Sequence, residues 1–206
     1  MIMTQSKSVW KTYVIWAAWV GIAFFSIYPS CNWLTSRRTN YFNLYLEGEL
    51  SLPFVPEFML VYLSMYILFA MPPFFLNVVE LNALGKQLIS GTLISGLIFL
   101  FLPAKLRFIR SVPQDGFYGP LYSTLFSLDM PHNMVPSLHV VFSALILFSI
   151  AATMRTIAQK LFWYGWLVLI CVSTLLVHQH HLLDVITGLA IAGLLRKLIL
   201  KENKYD

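Results

Sequence analysis

The chain has 206 residues, 58% of them hydrophobic and only 11% charged, with a mean hydropathy of +0.72. Soluble domains carry about a quarter charged residues, and a bilayer crossing needs roughly 17–25 mostly apolar residues, so this composition excludes an ordinary soluble fold and leaves no length for a separate soluble domain. The net charge of +5 does not imply a nucleic-acid partner, because Lys and Arg gather at the ends of the apolar runs, where they act as orientation signals.

In chain order, segments suited to crossing run over residues 12–28, 57–77, 87–103, 136–154, 161–177 and 183–199. Together they predict an all-α polytopic membrane protein, a six-helix transmembrane bundle forming one domain over 1–206. Lys7 and Lys11 ahead of the first run imitate a secretory leader, but no A-x-A cleavage pattern follows, so the run is expected to be a retained span. Pro72-Pro73 should kink or end the second span. Cys31, just past the first span, and Cys171, inside the fifth, make no disulfide framework or metal spacing and are expected to be packing residues. Trp10, Trp33 and Trp163 suit an interfacial aromatic belt. Of the two long connections, 29–56 is rich in Tyr, Phe, Leu and Trp and is expected to form a short interfacial helix or a plain loop. The other, 104–135, is polar, basic and punctuated by Gly and Pro, the pattern of an irregular loop over a site.

Six spans put both termini on one side. With them fall Lys7, Lys11, Lys86, Arg155, Lys160, Arg196, Lys197, Lys201 and Lys204, nine of the fourteen basic residues. The opposite side holds Arg37, Arg38, Lys105, Arg107 and Arg110. The excess makes the termini cytoplasmic. Three of the five exceptions cluster in one loop, which sets that loop apart as functional.

All five histidines lie in two short segments: His132 and His139 within 131–139, and His178, His180 and His181 within 178–184. Hydropathy alone puts both on the outer face, together with the basic stretch from Lys105 to Arg110. His180 and Asp184 are four apart, so on a helix the carboxylate holds an imidazole nitrogen and makes the histidine a better base or nucleophile. Asp184 opens a span, where an ionisable residue is costly and functional by default. His139 stands one turn after Pro136 at a helix start, where Ser137 and free N–H groups suit an anion. Two histidines, an orienting carboxylate and nearby cations suit phosphoryl transfer, one histidine attacking phosphorus and the other protonating the leaving oxygen.

Three blocks in order strengthen this reading: Lys105, six residues, Val112-Pro113; then Pro136-Ser137-Leu138-His139; then Ser173-Thr174, five residues, His180, three residues, Asp184. In this arrangement the chain resembles the type-2 phosphatidic acid phosphatase superfamily, whose motifs are K-x6-R-P, P-S-[GL]-H and S-R-x5-H-x3-D. The likeness is close over 105–190, and Leu138 before His139 resembles the branch that includes inositol phosphorylceramide synthases. The resemblance implies His180 as nucleophile through a phosphohistidine, Asp184 orienting it, His139 as general acid, and Lys105 and Ser137 binding phosphate, with no metal or cofactor. Val112 and Thr174 stand where the family carries arginine, so Arg107, Arg110 or His178 is expected to take over those phosphate contacts, each worth about 1.5–3 kcal/mol.

The implied activity is hydrolysis of a lipid phosphate or diphosphate at the outer face, with membrane lipids as surroundings and a bacterial inner membrane as the expected location. Transfer of the group to an alcohol remains open at this level, as does a non-catalytic lipid-binding role. His178-Gln179-His180-His181 superficially resembles an iron histidine box, but such sites need more converging imidazoles than five histidines supply.

Overall fold

Where the apolar runs are longest, the chain forms its longest helices: α1 (Lys7–Ser36), α5 (Val78–Phe101), α8 (Ile157–Leu176) and α9 (Leu182–Glu202). The structure, a computed structural model, describes residues 7–114 and 116–202; Lys204, counted above among the orienting charges, lies outside them. Between the long helices come α2 (Phe58–Leu63), α3 (Met65–Ala70), α4 (Pro72–Phe75), α6 (Tyr118–Leu128) and α7 (Leu138–Thr153).

Among the described residues, α1, α5 and α8 are long and apolar enough to cross a membrane, while Phe58–Ala70 and α7 are shorter apolar helices. The second expected span is thus broken, at Ser64 and again at Pro72-Pro73, whose rings remove two backbone donors. The first span outruns its expected end at residue 28, because Pro29 is absorbed within α1, where Ser30 Oγ donates to the carbonyl of Ser26 at 2.6 Å. Cys31 therefore lies inside the helix, buried against α5. No α-helix forms over 37–57; its one regular piece is a 3-10 helix, Glu47–Ser51. Conversely, the 104–135 connection contains α6, an unforeseen helix.

Helix ends follow local chemistry. Asn77 caps α5 by accepting from the N–H groups of Val79 and Glu80 (2.9 and 3.0 Å), and the Glu80 carboxylate accepts from Asn77 N–H at 2.8 Å. Thr156 and Gln159 cap α8 in the same reciprocal way. Ser137 caps α7, its Oγ accepting from Val140 N–H.

Helix α7 is apolar on every side and buried along most of its length, as expected of a helix surrounded by others; α3, α4, α5, α8 and α9 pack around it. Between apolar helices in a membrane, close packing replaces the hydrophobic driving force, and small residues permit it. Gly91 on α5 faces Val141 of α7, while Gly85 and Gly96 face Trp16 and Ile27 of α1. Helix α1 is attached through α5, and only 11% of its most apolar window is buried.

Over one end of the bundle an extended segment is stitched down. Phe42 N–H donates to Pro103 O (2.9 Å) and Lys105 N–H to Phe42 O (3.1 Å), while Leu106 N–H reaches Pro131 O (3.1 Å). Ala104, Leu106 and Phe108 pack with Met134 and Val135 beneath this cover.

A Cβ at position 96 would stand 2.5 Å from Ile27 Cγ2, a stiff β-branched side chain. Gly96→Val is therefore expected to destabilise the protein by about 1–3 kcal/mol, read as a lowered Tm in detergent, whereas Gly165→Ala, which meets open space, has little effect.

Candidate active site

The turn between α8 and α9 places His180. Helix α8 ends in a Schellman arrangement: Gln179 N–H donates to Thr174 O (3.0 Å) and His178 N–H to Leu175 O (3.0 Å). The left-handed position this requires is filled by His178, at φ 54°, rather than by glycine. His180 N–H joins the same Thr174 carbonyl at 3.1 Å. Thr174, the residue at a position where the resemblance leads one to expect arginine, thus seats the histidine through its backbone.

Asp184, fully buried in the first turn of α9, faces this turn. Its Oδ2 lies 3.2 Å from His180 Nδ1 and accepts from His181 N–H at 2.7 Å. Since a carboxylate only accepts, Nδ1 carries the proton and Nε2 holds the lone pair. The backbone of Asp184 also accepts from Ser137 N–H at 3.1 Å, joining this segment to the start of α7 two residues before His139. Gly188 makes the approach possible, because a Cβ there would meet Ser137 O at 3.0 Å.

His139 is buried near the start of α7 and stacks on Tyr62, with ring centroids 3.9 Å apart. Its Nε2 lies 2.8 Å from the Tyr62 carbonyl, beside the break between α2 and α3. That acceptor makes Nε2 the protonated nitrogen. His139 and His180 line one cavity of 890 Å³, and Asp129 lines it too. The structure therefore brings together His139, His180 and Asp184.

The expected phosphate ligands are placed differently: none of Lys105, Ser137, Arg107, Arg110 and His178 lines the cavity. Lys105 is exposed, with its amino group 5.9 Å from the centroid of Tyr41, which stacks on His132. Ser137 spends its hydroxyl on the α7 cap. Arg107 donates its backbone N–H to His181 Nε2 at 3.0 Å. His178 stacks on Phe108 (4.2 Å) and donates Nε2–H to Leu52 O at 3.1 Å. Arg110 comes nearest: Nη1 donates to Asp129 O at 2.5 Å, Nη2 to Gln179 Oε1 at 3.4 Å, and Nε is buried without a partner. Asp129 itself accepts a short hydrogen bond from the Tyr28 hydroxyl.

Glu49 is the residue that pattern reading missed. Buried within the 3-10 helix, it accepts from Leu46 N–H and from Leu182 N–H (both 2.7 Å) and sets Oε1 3.1 Å from His181 Nδ1. It so caps α9 with a charge that suits the positive end of the helix. Phe108 lies between the rings of His178 and His181, 4.2 and 4.7 Å away. Glu47 and Glu49 look alike in sequence, and no spacing rule connects a loop carboxylate to a histidine more than a hundred positions on.

Among the described residues, no group of three His, Cys, Asp or Glu side chains is arranged to hold a metal ion. Burial pushes the pKa of His178 and His181 below the usual range, and for His181 the neighbouring Asp184 and Glu49 carboxylates oppose the shift in part. His132 is lowered by burial and by the charges of Lys105 and Arg110.

Residues 85–204 match the family model described as the PAP2 superfamily. No curated protein and no solved structure matches the chain.

Two outcomes follow from this geometry. Glu49→Ala removes two hydrogen bonds that the buried carboxylate accepts from the backbone N–H groups of Leu46 and Leu182 and is expected to cost about 2 kcal/mol or more and to lower turnover, with Glu49→Gln intermediate, as thermal unfolding and activity together will report. A histidine whose folded pKa lies below its unfolded value of about 6.5 contributes stability that is fully present above that pH and is lost as pH falls below it. The Tm in detergent should therefore decline from pH 7 towards pH 5, and His181→Gln should flatten the decline; an unchanged slope counts against the assignment.

Proposed function

The chain belongs to the PAP2 superfamily, and on that footing we propose that it is a membrane-embedded phosphatase acting on a lipid phosphate or diphosphate through a phosphohistidine at His180. The observation that carries the reading is the sharing of one cavity by two histidines, one of them held through Nδ1 by a buried carboxylate.

In this reading His180 Nε2 directs its lone pair at phosphorus, an N–P bond forms, and the P–O bond to the lipid breaks. Asp184 keeps the proton on Nδ1 and stabilises the positive charge that the ring gains. His139, after its Nδ1 takes a proton from solvent or from a singly ionised phosphate ester, delivers that proton to the departing oxygen, then takes one from the water that attacks phosphorus, breaks the N–P bond and releases phosphate. Arg110, with a buried donor still free beside Asp129, is the best-placed of the cations to meet the phosphate. Leu138 before His139 fits the P-S-L-H branch. The same reading carries six membrane crossings, cytoplasmic termini and a site on the outer face of a bacterial inner membrane, in keeping with the distribution of Lys and Arg.

His180→Ala and His139→Ala are each expected to lower kcat by about 10³-fold or more, and Asp184→Asn to be severe as well, because an amide no longer fixes the tautomer of His180. The measurement is phosphate release by purified protein across lipid phosphates and diphosphates, with acid-labile labelling of the protein by a 32P-labelled substrate. Near-normal turnover in either histidine variant would overturn the assignment, and a labelled lipid product without free phosphate would mark transfer to an alcohol instead.

A further inference from the structure

A phosphoryl group fills a small part of the 890 Å³ cavity that contains His139 and His180; the remainder is walled mainly by apolar side chains. Along α1 the wall is made by Tyr13, Trp16, Val20, Phe24 and Tyr28, which recur at helical spacing on one face. From Tyr13 to Tyr28 the helix rises about 22 Å. On α5 the wall runs from Leu81 to Phe99, a rise of about 27 Å. The hydrocarbon of one leaflet is about 15 Å deep, half of the roughly 30 Å core. With the histidines at one end, the wall of the cavity is longer than the hydrocarbon of one leaflet is deep.

The far end is chemically quiet. Trp16 donates its indole N–H to Asn82 Oδ1 at 2.7 Å, and Tyr13 donates its hydroxyl to Phe69 O at 2.8 Å. Both polar groups are thereby satisfied. The charged and hydrogen-bonding groups gather at the other end, where Asp129 and Tyr28 meet near His139 and His180. One end thus carries the histidines and the polar groups, and the rest suits a hydrocarbon chain.

We propose that this cavity receives the hydrocarbon chain of the substrate along its length, and that the protein prefers lipid phosphates or diphosphates whose single chain is longer than one leaflet is deep. The proposal rests on the phosphatase reading above and narrows its substrate class. The preference comes from fit rather than dehydration, because bilayer and cavity are both apolar and only contact along the wall distinguishes a long chain from a short one. Gly21 lies in the middle of the α1 wall, about 10 Å along the helix from Tyr28, with open space where a side chain would stand.

The test is kcat/KM for phosphate release from decyl, farnesyl, geranylgeranyl and longer polyprenyl phosphates, presented to the full chain in one detergent. The expected result is a rise of about tenfold or more across the series, and a shift of the preference towards shorter chains in Gly21→Phe. A flat profile in the unaltered protein, with phosphate still released, overturns this inference alone and needs no variant to fold. No phosphate from any member, and no labelled His180, overturns the reading beneath it.

Discussion

Asp184 is the point on which the site's construction depends. Its Oδ2 meets His180 Nδ1 and His181 N–H, and its backbone carbonyl takes the N–H of Ser137 at the start of α7. One residue therefore positions a histidine and ties two helix starts to each other. A fully buried carboxylate is costly, and it persists only where hydrogen bonds compensate for lost water. Its Oδ1 has no protein partner, so part of that cost remains at the site.

Around this point the cover over the bundle end does structural work that its position alone would not reveal. The 3-10 helix of the first connection supplies Glu49 to the start of α9, and the extended segment supplies Phe108 to the space between two histidine rings and Arg107 N–H to a third contact. Two stretches far apart in sequence thus bear on residues 178–184. Two of the five histidines, His178 and His181, are engaged in holding this layer together, which explains their burial and their reluctance to take a proton.

The all-helical class and the membrane character were legible in hydropathy, and the convergence of 136–139 with 180–184 in the spacing of motifs. The broken second span was half legible: Pro72-Pro73 announce one break, but nothing local marks Ser64. The length of α1 was obscured by Pro29, through which the helix continues. Phosphate ligands were the least legible part. Proximity in sequence to a vacant motif position suggested Arg107 and His178, but one contributes its backbone and the other a ring stacked on phenylalanine. Glu49 and the Tyr62 carbonyl were beyond reach, since neither a loop carboxylate nor a peptide oxygen carries a pattern.

The hydrogen bond from His139 to the Tyr62 carbonyl commits the Nε2 of that imidazole to the backbone. In its neutral form the ring then offers only a lone pair on Nδ1, so in the proposed mechanism a neutral His139 has no proton to give at the outset. Any proton it passes on must first be collected, either from solvent or from a phosphate ester that arrives still carrying one. A substrate in the singly ionised state would then bring its own acid to the reaction, and the resting ring would serve as the courier.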